Sequence, residues 1–284
     1  MTPSMKAFGP DPEQAPIMLE PGTRFVGDLH LIVDEDADWG ANAIGGPREE
    51  RERFLDFLGQ CLRDEGRSLI ILGDLFEYWF GPAQAESDGG RAVLDALGEA
   101  TGKGLAIHLV PGNRDFLLGR SFSERTGVQL HPRGFVAVVG DRRWVIVHGD
   151  ELCTLDRGYL RLRRVLRSPA VRGLAPRLPS AAGRAVARRL RRASKRALAT
   201  KPKVEAEQQW SAVEDLCARH RAAGLICGHA HRFRDDRQTP GGEPLEWWVV
   251  DAFGHGRDLL TFDAGGSLCA AGSWDAEPSR GVRE

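Results

Sequence analysis

The segment VPGNRDFLLGR, residues 110–120, decides how the rest of the chain is interpreted. It begins as the end of an apolar run, and after a glycine it places Asn113, Arg114 and Asp115 side by side. A simple turn needs none of these three side chains. Four more apolar runs end in polar residues in the same manner. Their endings are GDLH (27–30), GD (73–74), HGD (148–150) and GHAH (228–231).

Apolar runs bounded by turn residues occur along most of the chain, and their length is typical of β-strands. They predict strands at 24–26, 69–72, 105–110, 135–139, 144–147, 225–227, 247–250 and 259–262. Patterns of helical period lie between several of these runs, at about 48–64, 90–101 and 204–221. Strands and helices alternate early in the chain, and hairpin-like strand pairs follow later. This mixture predicts an α/β layered sandwich with a mixed sheet.

The chain is expected to form one folded domain with less structured ends. The N-terminal segment is Pro-rich and polar, which predicts a disordered lead-in, and the last ten residues are expected to fray. Two helical patterns, 157–168 and 181–200, are joined through prolines and form a helical insertion. We therefore place the lead-in, the domain, its insertion and the tail at residues 1–22, 23–274, 157–203 and 275–284.

Composition sets limits on the class of protein. With 284 residues, of which 42% are hydrophobic and 28% charged, the chain can bury a sizeable core. No run approaches the roughly 18 to 20 apolar residues that span a bilayer, and the N-terminus lacks a basic region followed by an apolar one. The five cysteines are scattered without a CxxC pair, which predicts neither a disulfide framework nor a thiolate zinc site. These features favour a cytoplasmic protein.

The insertion at 157–203 is strongly cationic. It contains 13 Arg and 3 Lys and no acidic residue, so the rest of the chain holds 23 basic against 40 acidic residues. A basic amphipathic segment suits an anionic membrane surface, where each basic group contributes on the order of 1 kcal/mol. The alternative is a solvated Arg-rich helix pair, or one paired with the protein's own acidic remainder. Only Tyr159 interleaves the basic residues as an aromatic, so we expect no nucleic-acid partner.

The polar residues at the strand ends form a set of candidate metal ligands. Ligands bind beyond the carboxyl ends of strands in open α/β sheets, so these side chains are expected to converge. The set offers imidazole and oxygen donors, which suit Mn²⁺, Fe²⁺ or Zn²⁺, and seven donors are too many for one ion. Two ions need a bridging carboxylate, for which Asp74 is the candidate. The seven residues are Asp28, His30, Asp74, Asn113, His148, His229 and His231.

Each motif alone has a simpler interpretation. Asn113 could be a turn residue that tolerates left-handed geometry, and His148 a core histidine hydrogen-bonded to backbone. His108, inside an apolar strand, is better explained as a core histidine, while His131 and His220 are predicted at the surface or at helix ends. The specificity lies in five motifs in one order, each ending an apolar run. That combination predicts a dinuclear metal site.

The motif series resembles the calcineurin-like metallophosphoesterases. Their pattern of D-x-H, GD, GN-[HR]-D, a histidine before GD, and GH-x-H matches residues 24–262 in order. Within that superfamily, GDLFEYW (73–79), PGNRDFLLG (111–119) and HGDELCTLD (148–156) are similar to the UDP-2,3-diacylglucosamine hydrolases of lipid A biosynthesis. Arg114 stands where most of the superfamily has a histidine, and it favours that subgroup.

The resemblance implies a four-layer αββα sandwich that holds two Mn²⁺ ions, with Mg²⁺, Fe²⁺ or Zn²⁺ as less favoured alternatives. One ion would be bound by Asp28, His30, Asp74 and His231. The other would be bound by Asp74, Asn113, His148 and His229. The implied reaction is attack of activated water on the α-phosphorus of the UDP group, which releases UMP and 2,3-diacylglucosamine 1-phosphate.

The same resemblance assigns roles to individual residues. Arg114 would neutralise charge on phosphate oxygens, and with Asp74 and Asn113 it forms the candidate catalytic set. Asp115 is expected to orient a ligand or to cap the next helix, and Asp150 to act in a similar supporting role. The implied substrate contacts are Asn113, Arg114, Asp156, Ser194, Lys201 and His229.

The chain departs from the family pattern at one position, and one further group of residues could line the pocket. The family has an asparagine where this chain has Leu198, so one polar contact to the substrate is missing. Glu77 and its neighbours follow Asp74 and are further candidates to line the pocket, with packing favoured for Trp79.

The predicted function is hydrolysis of UDP-2,3-diacylglucosamine at the cytoplasmic face of the inner membrane. The partners expected are the lipid-linked UDP-sugar and the anionic membrane surface, and no protein partner is inferred. The alternative is a dimetal phosphoesterase that acts on a nucleotide, a phosphodiester or a phosphoprotein. A non-catalytic binding module would require lost ligands, and none of the seven is lost.

Overall fold

The computed structural model describes residues 8–34, 46–64 and 68–272. Its strands are β1 Ile17–Met18, β2 Arg24–Val26, β3 Ser68–Ile71, β4 Ala106–Leu109, β5 Gln129–Leu130, β6 Phe135–Val139, β7 Arg142–Ile146, β8 Gly224–Cys227, β9 Arg234–Gln238, β10 Leu245–Val249, β11 Leu260–Phe262 and β12 Leu268–Ala270. Its α-helices are α1 Pro47–Arg63, α2 Asp88–Gly102, α3 Arg120–Thr126, α4 Arg157–Leu166, α5 Pro169–Leu174, α6 Ser180–Thr200, α7 Lys203–Ala206 and α8 Trp210–His220.

The strands form two mixed sheets of six strands each. One sheet has the order β12-β11-β2-β3-β4-β5, in which β2 to β5 run parallel and β11 and β12 are antiparallel additions. The other has the order β1-β6-β7-β8-β10-β9, with β7, β8 and β10 parallel at its centre. The parallel strands bring their carboxyl ends, and the motifs that follow them, to one edge of each sheet.

Alternating side chains of the strands explain why the sheets stack between helices. In β3, Leu69 and Ile71 belong to the apolar cluster with α1 and α2, whereas Ile70 belongs to the cluster between the two sheets. In β8, Leu225 packs with residues of α8, and Ile226 joins the cluster between the sheets. The centre of each sheet is therefore buried on both faces. The result is the predicted four-layer αββα sandwich.

The predicted strands all coincide with observed strands to within two residues at either end, but one predicted helix is divided. The pattern at 204–221 contains α7 and α8 separated by residues 207–209. The buried side chain of Gln208 turns inward there, and its Nε2 donates to the carbonyls of Gly149 and Gly228 at 3.2 and 3.0 Å. These bonds tie the start of α8 to two of the strand-end motifs.

The N-terminal segment differs from the expected disordered lead-in. From residue 8 onward it lies against the sandwich, where β1 pairs in parallel with β6 and covers that edge of the sheet. Phe8 and Leu19 are buried. The prediction of disorder rests on the polar, Pro-rich composition of residues 1–22, which does not show that a few apolar side chains are enough to hold the segment against the sheet. Residues 1–7 and the expected tail at 275–284 lie outside the described residues.

The insertion consists mainly of α4, α5 and α6. Between the two expected helices the structure has α5, which begins at Pro169 after Ser168, whose hydroxyl accepts from the backbone of Val171. Few apolar side chains of the insertion are buried, Leu160 and Ala187 among them. In the described part of the chain, no helix combines the length and the apolar character needed to cross a membrane.

Candidate dinuclear metal centre

The loops after β2 and β3 run side by side and carry the first two motifs. Hydrogen bonds from the backbone N–H groups of Asp28, His30 and Leu31 to the carbonyls of Gly73, Asp74 and Leu75 are 3.0, 2.9 and 2.9 Å long. They continue the parallel pairing beyond the strands. The motifs D-x-H and GD are therefore fixed next to each other by backbone bonds.

The backbone of the candidate ligands is unusual. Among the described residues, six non-glycine residues have positive φ, a conformation that L-residues avoid for steric reasons. Five of the six are predicted ligands, and such strain concentrates at functional sites. These five are Asp28, His30, Asp74, His229 and His231.

Glycines in the motifs allow the close approach of the loops. A Cβ at Gly73, where φ is +98°, would lie 2.4 Å from Nδ1 of His148. A Cβ at Gly112 would lie 2.1 Å from Oδ1 of Asp74. A side chain at either position would displace a candidate ligand.

The first cluster of donors consists of Asp28, His30 and His231. The Nε2 atoms of the two histidines are 3.0 Å apart, and Nε2 of His231 lies 3.5 Å from Oδ1 of Asp28. That Oδ1 atom is buried and has no hydrogen-bond partner among the described residues. Three donor atoms that converge around an unpartnered buried carboxylate oxygen fit a bound cation.

The second cluster consists of Asp28, Asp74 and His148. The Leu72 carbonyl lies 2.6 Å from Nδ1 of His148 and can only accept a hydrogen bond, so Nδ1 carries a hydrogen. Nε2 is therefore the ring nitrogen that can face a metal ion as a ligand. Nε2 lies 3.1 Å from Oδ1 of Asn113 and 3.9 Å from Oδ1 of Asp74.

His229 completes the group. Its backbone N–H donates to Oδ2 of Asp28 at 2.7 Å, and its ring centroid lies 5.1 Å from that of His148. The structure thus brings all seven predicted ligands into one crevice. Asp28 is common to both clusters, whereas the sequence indicated Asp74 as the bridge. The bridging role of Asp74 and the division of ligands between two ions stay predictions.

The electrostatics of the crevice favour a cation. Burial alone would lower the pKa of His148, but the carboxylates of Asp74 and Asp28 outweigh it and raise the pKa to about 9. Burial and the charge of His148 lower the pKa of His229 to about 4. Burial would raise the pKa of Asp28, but the nearby rings of His231, His148 and His30 hold that pKa well below its usual range. Two buried carboxylates beside imidazole and amide groups attract positive charge and are a suitable environment for divalent ions.

Arg114 lies beside this crevice. Its backbone N–H donates to Oδ1 of Asp74 at 2.9 Å, and its Nε lies 3.5 Å from Oδ2 of the same residue. Its Nη1 donates to Oε1 of Glu77 at 2.8 Å. About a quarter of the side chain is exposed, so the guanidinium remains accessible to a ligand.

Asp115 holds the motif loops together and does not cap a helix. Its fully buried carboxylate accepts from the backbone of Gly112 at 2.7 Å and of Leu75 at 2.8 Å. The next helix, α3, begins later, at Arg120. Of the two roles expected for Asp115, helix capping is wrong. Its carboxylate connects the loop after β4 to the loop after β3, and its role in orienting a ligand stays a prediction.

Asp150 anchors the insertion. It is fully buried, accepts from the hydroxyl of Tyr159, and accepts from Nε of Arg163 at 2.6 Å. Arg167, the residue directly after α4, donates to the carbonyls of Pro111, Gly112 and Pro132 at 2.9 to 3.0 Å. Helix α4 and its end are thus attached directly to two strand-end motifs.

The predicted substrate contacts Asp156, Ser194 and Lys201 lie in or directly beside the insertion. Nζ of Lys201 pairs with Oδ2 of Asp156 at 2.5 Å, and Asp156 also caps α4 by accepting from the backbone of Tyr159 at 2.9 Å. Ser194 is exposed on α6. Their contact with substrate stays a prediction.

Sequence analysis missed two contacts and misjudged one histidine, His131. Arg167 and Arg191 reach the motif loops, but nothing in the sequence distinguishes them from the other arginines of the insertion. His131, expected at the surface, is buried, and its Nε2 lies 3.0 Å from Nδ1 of His108. His220 ends α8, as one of its two predicted positions, and its side chain is buried.

Comparison with known proteins identifies the family. The UDP-2,3-diacylglucosamine hydrolase of Nitrosococcus oceani is 35% identical over 239 residues, which cover 84% of this chain and 90% of that protein. The protein of the same name from Aeromonas salmonicida is 35% identical over 241 residues, 84% of this chain and 89% of that protein. No protein-family model matches the chain.

Solved structures give a weaker likeness. A dimetal phosphatase from Danio rerio aligns with 85% of this chain and 92% of its own at 14% identity and a TM-score of 0.40, which carries no further conclusion. The sequence relatives decide the assignment. The chain belongs to the UDP-2,3-diacylglucosamine hydrolase family and is a metal-dependent hydrolase.

Proposed function

We propose that the chain hydrolyses UDP-2,3-diacylglucosamine by attack of water on the α-phosphorus, giving UMP and 2,3-diacylglucosamine 1-phosphate. The observation that carries this proposal is the position of Arg114, within 3.5 Å of a candidate metal ligand and beneath a cationic insertion. The names of the relatives supply the substrate class.

The seven donors would hold two divalent cations, for which we propose Mn²⁺ because the set mixes imidazole with carboxylate and amide oxygens. Such a pair, when bound, supplies Lewis acidity and makes water a nucleophile near neutral pH. The unpartnered oxygen of Asp28 and the convergence of His30 with His231 support the fit.

Arg114 would bind the non-bridging oxygens of the diphosphate. Its guanidinium stays charged throughout the working pH range and can donate two parallel hydrogen bonds to one phosphate. Because Asp74 and Glu77 fix its position, it needs little rearrangement as negative charge develops. Asn113 would orient the same phosphate from the neighbouring position.

The insertion would cover the substrate and contact the membrane. The predicted contacts Asp156, directly before the insertion, and Ser194 and Lys201 within it would bind the sugar portion. Exposed apolar side chains suited to acyl chains or lipid are concentrated here, since seven of the eight large exposed hydrophobics in the described part of the chain lie between residues 155 and 204. They are Leu155, Leu162, Val165, Leu174, Leu178, Val186 and Val204. We propose that this surface, rich in arginine, lies on the cytoplasmic face of the inner membrane.

The substrate proposal is tested by comparing two substrates. Purified protein with Mn²⁺ is expected to release UMP from UDP-2,3-diacylglucosamine much faster than it cleaves a generic aryl phosphodiester. Turnover of the aryl ester alone would reject the lipid substrate and favour the alternative, a dimetal phosphoesterase with another substrate. Leu198, which departs from the family pattern, makes this comparison necessary.

The membrane proposal is tested by vesicle sedimentation. The protein is expected to bind vesicles that contain anionic phospholipid and to release them as salt rises, because screening weakens the attraction. Replacement of Leu174 and Val165 by serine is expected to weaken binding without changing metal content. Equal binding to neutral and anionic vesicles would contradict the role of the arginines.

A further inference from the structure

Glu77 is in contact with three separate parts of the molecule. Its Oε2 lies 3.2 Å from Nδ1 of the candidate ligand His30. Its Oε1 accepts from Nη1 of Arg114 at 2.8 Å and lies 2.7 Å from Nη1 of Arg191 on α6. One buried carboxylate thus joins a metal-ligating ring, the proposed phosphate-binding arginine and the insertion.

The backbone holds Glu77 in this position independently of the side-chain contacts. Its N–H donates to the carbonyl of Leu31 at 3.0 Å, and Leu31 and Phe76 form a parallel bridge that extends the pairing of β2 with β3. Since the loop is fixed, the carboxylate is a rigid point to which the three cationic or polar groups attach.

The contact with His30 determines which nitrogen faces the ligand cluster. The two atoms are 3.2 Å apart but are not aligned as a hydrogen bond in the described part of the chain. The negative charge of Glu77 nevertheless favours the hydrogen on Nδ1 and leaves the lone pair on Nε2, the atom that lies 3.0 Å from Nε2 of His231. A carboxylate beside the far nitrogen of a ligating histidine fixes its tautomer and increases its strength as a ligand.

The contact with Arg114 keeps that arginine from competing with a cation. Nε of Arg114 already lies 3.5 Å from Oδ2 of Asp74. Without Glu77, the guanidinium would be free to move closer to Asp74 and to occupy a carboxylate oxygen that a metal ion requires. Arg191 would also lose the negative charge that lies 2.7 Å from its Nη1.

We infer that Glu77 is a positioning residue that couples docking of α6 to the metal-binding geometry of His30 and to the placement of Arg114. When α6 is docked, Arg191 and Arg114 share the same carboxylate oxygen. The cover over the substrate and the metal centre are therefore connected through one side chain. The inference rests on the proposed function for the identity of the site, but its test uses no substrate.

The test measures Mn²⁺ affinity by competition with a chelator, together with amide hydrogen exchange of residues 180–200. Glu77→Ala is expected to weaken Mn²⁺ binding by about tenfold to a hundredfold and to speed exchange in α6. Glu77→Gln keeps an oxygen for Nδ1 of His30 but not the charge for the arginines. It is expected to retain most of the Mn²⁺ affinity while α6 exchanges as fast as in the alanine variant.

Matched controls use arginines of the same helix. Arg191→Gln is expected to speed exchange in α6, whereas Arg188→Gln, at an exposed position three residues away, is expected to change neither readout. If Glu77→Ala fails to fold by circular dichroism, the glutamine variant alone decides the coupling to α6. Mn²⁺ affinity of a folded Glu77→Ala within about twofold of wild type, or unchanged α6 exchange in Glu77→Gln, would overturn the inference. A negative result in the UDP-substrate assay would leave both readouts intact.

Discussion

The sandwich and its insertion are held together by different forces. The sandwich contains three large apolar clusters, between the sheets and beneath the helices on either side, and its motif loops are joined by backbone hydrogen bonds. The insertion buries few apolar side chains and is attached mainly by arginines, through Asp150, Glu77 and backbone carbonyls. The candidate metal centre therefore belongs to a rigid scaffold, whereas the attachment of the insertion depends on a few charged contacts.

The largest expected effect comes from the scaffold side of this comparison. Asp74→Ala removes a carboxylate from the metal crevice, so we expect bound Mn²⁺ to fall and hydrolysis to drop by at least about 10³-fold, since metal ions supply several kcal/mol of transition-state stabilisation. Hydrogen exchange in α4, which is attached separately through Asp150, should not change. Metal content by elemental analysis and initial rates check the prediction, and full metal content in the variant would contradict it.

The next effect concerns the attachment of the insertion. Arg163→Met leaves the buried carboxylate of Asp150 without its main counter-charge, which is expected to cost about 3 to 5 kcal/mol. The loss should be measurable by urea unfolding or as faster hydrogen exchange in residues 157–166. Arg164→Met, at the exposed neighbouring position, serves as the control and should change stability by less than about 0.5 kcal/mol. Equal behaviour of the two variants would show that the pair does not anchor α4.

Arg114→Ala separates catalysis from metal binding. It is expected to lower kcat/KM by roughly 10² to 10³-fold, or about 3 to 4 kcal/mol, because a donor aimed at developing negative charge is lost. Mn²⁺ content should remain that of the wild type. Arg120→Ala, on the same segment but fully at the surface, is the matched control. Loss of metal together with activity would mean that Arg114 supports the ligands instead of the phosphate.

The smallest effect lies in the sandwich away from the insertion. Burial and the nearby His108 lower the pKa of His131 to about 4, whereas an unfolded histidine titrates near 6.5. Between these values the unfolded state binds a proton that the folded state does not, so stability falls as pH falls, by about 2 kcal/mol at pH 5. Urea unfolding at pH 7 and pH 5 should show a smaller loss for His131→Phe. An identical loss would assign the pH dependence to other groups.

The sequence alone predicted the sandwich and its ligand motifs better than it predicted how the insertion is attached. Each ligand motif is a short local pattern at the end of an apolar run, and parallel pairing brings such ends together whatever the connecting segments are. The contact of Glu77 with Arg191 joins residues 114 positions apart and depends on how α6 docks, which no local pattern encodes. Likewise, β5 has only two residues, too few for a periodic signal, so the burial of His131 after it was not foreseen.

The positive φ angles of five candidate ligands have a practical consequence for engineering. Each non-glycine residue in this conformation costs of order 1 to 3 kcal/mol, which the rest of the fold must offset. Glycine or asparagine at these positions would relieve that cost. A laboratory selection for heat resistance without a check on hydrolysis would therefore enrich chains that melt later because they have given up their metal-binding side chains.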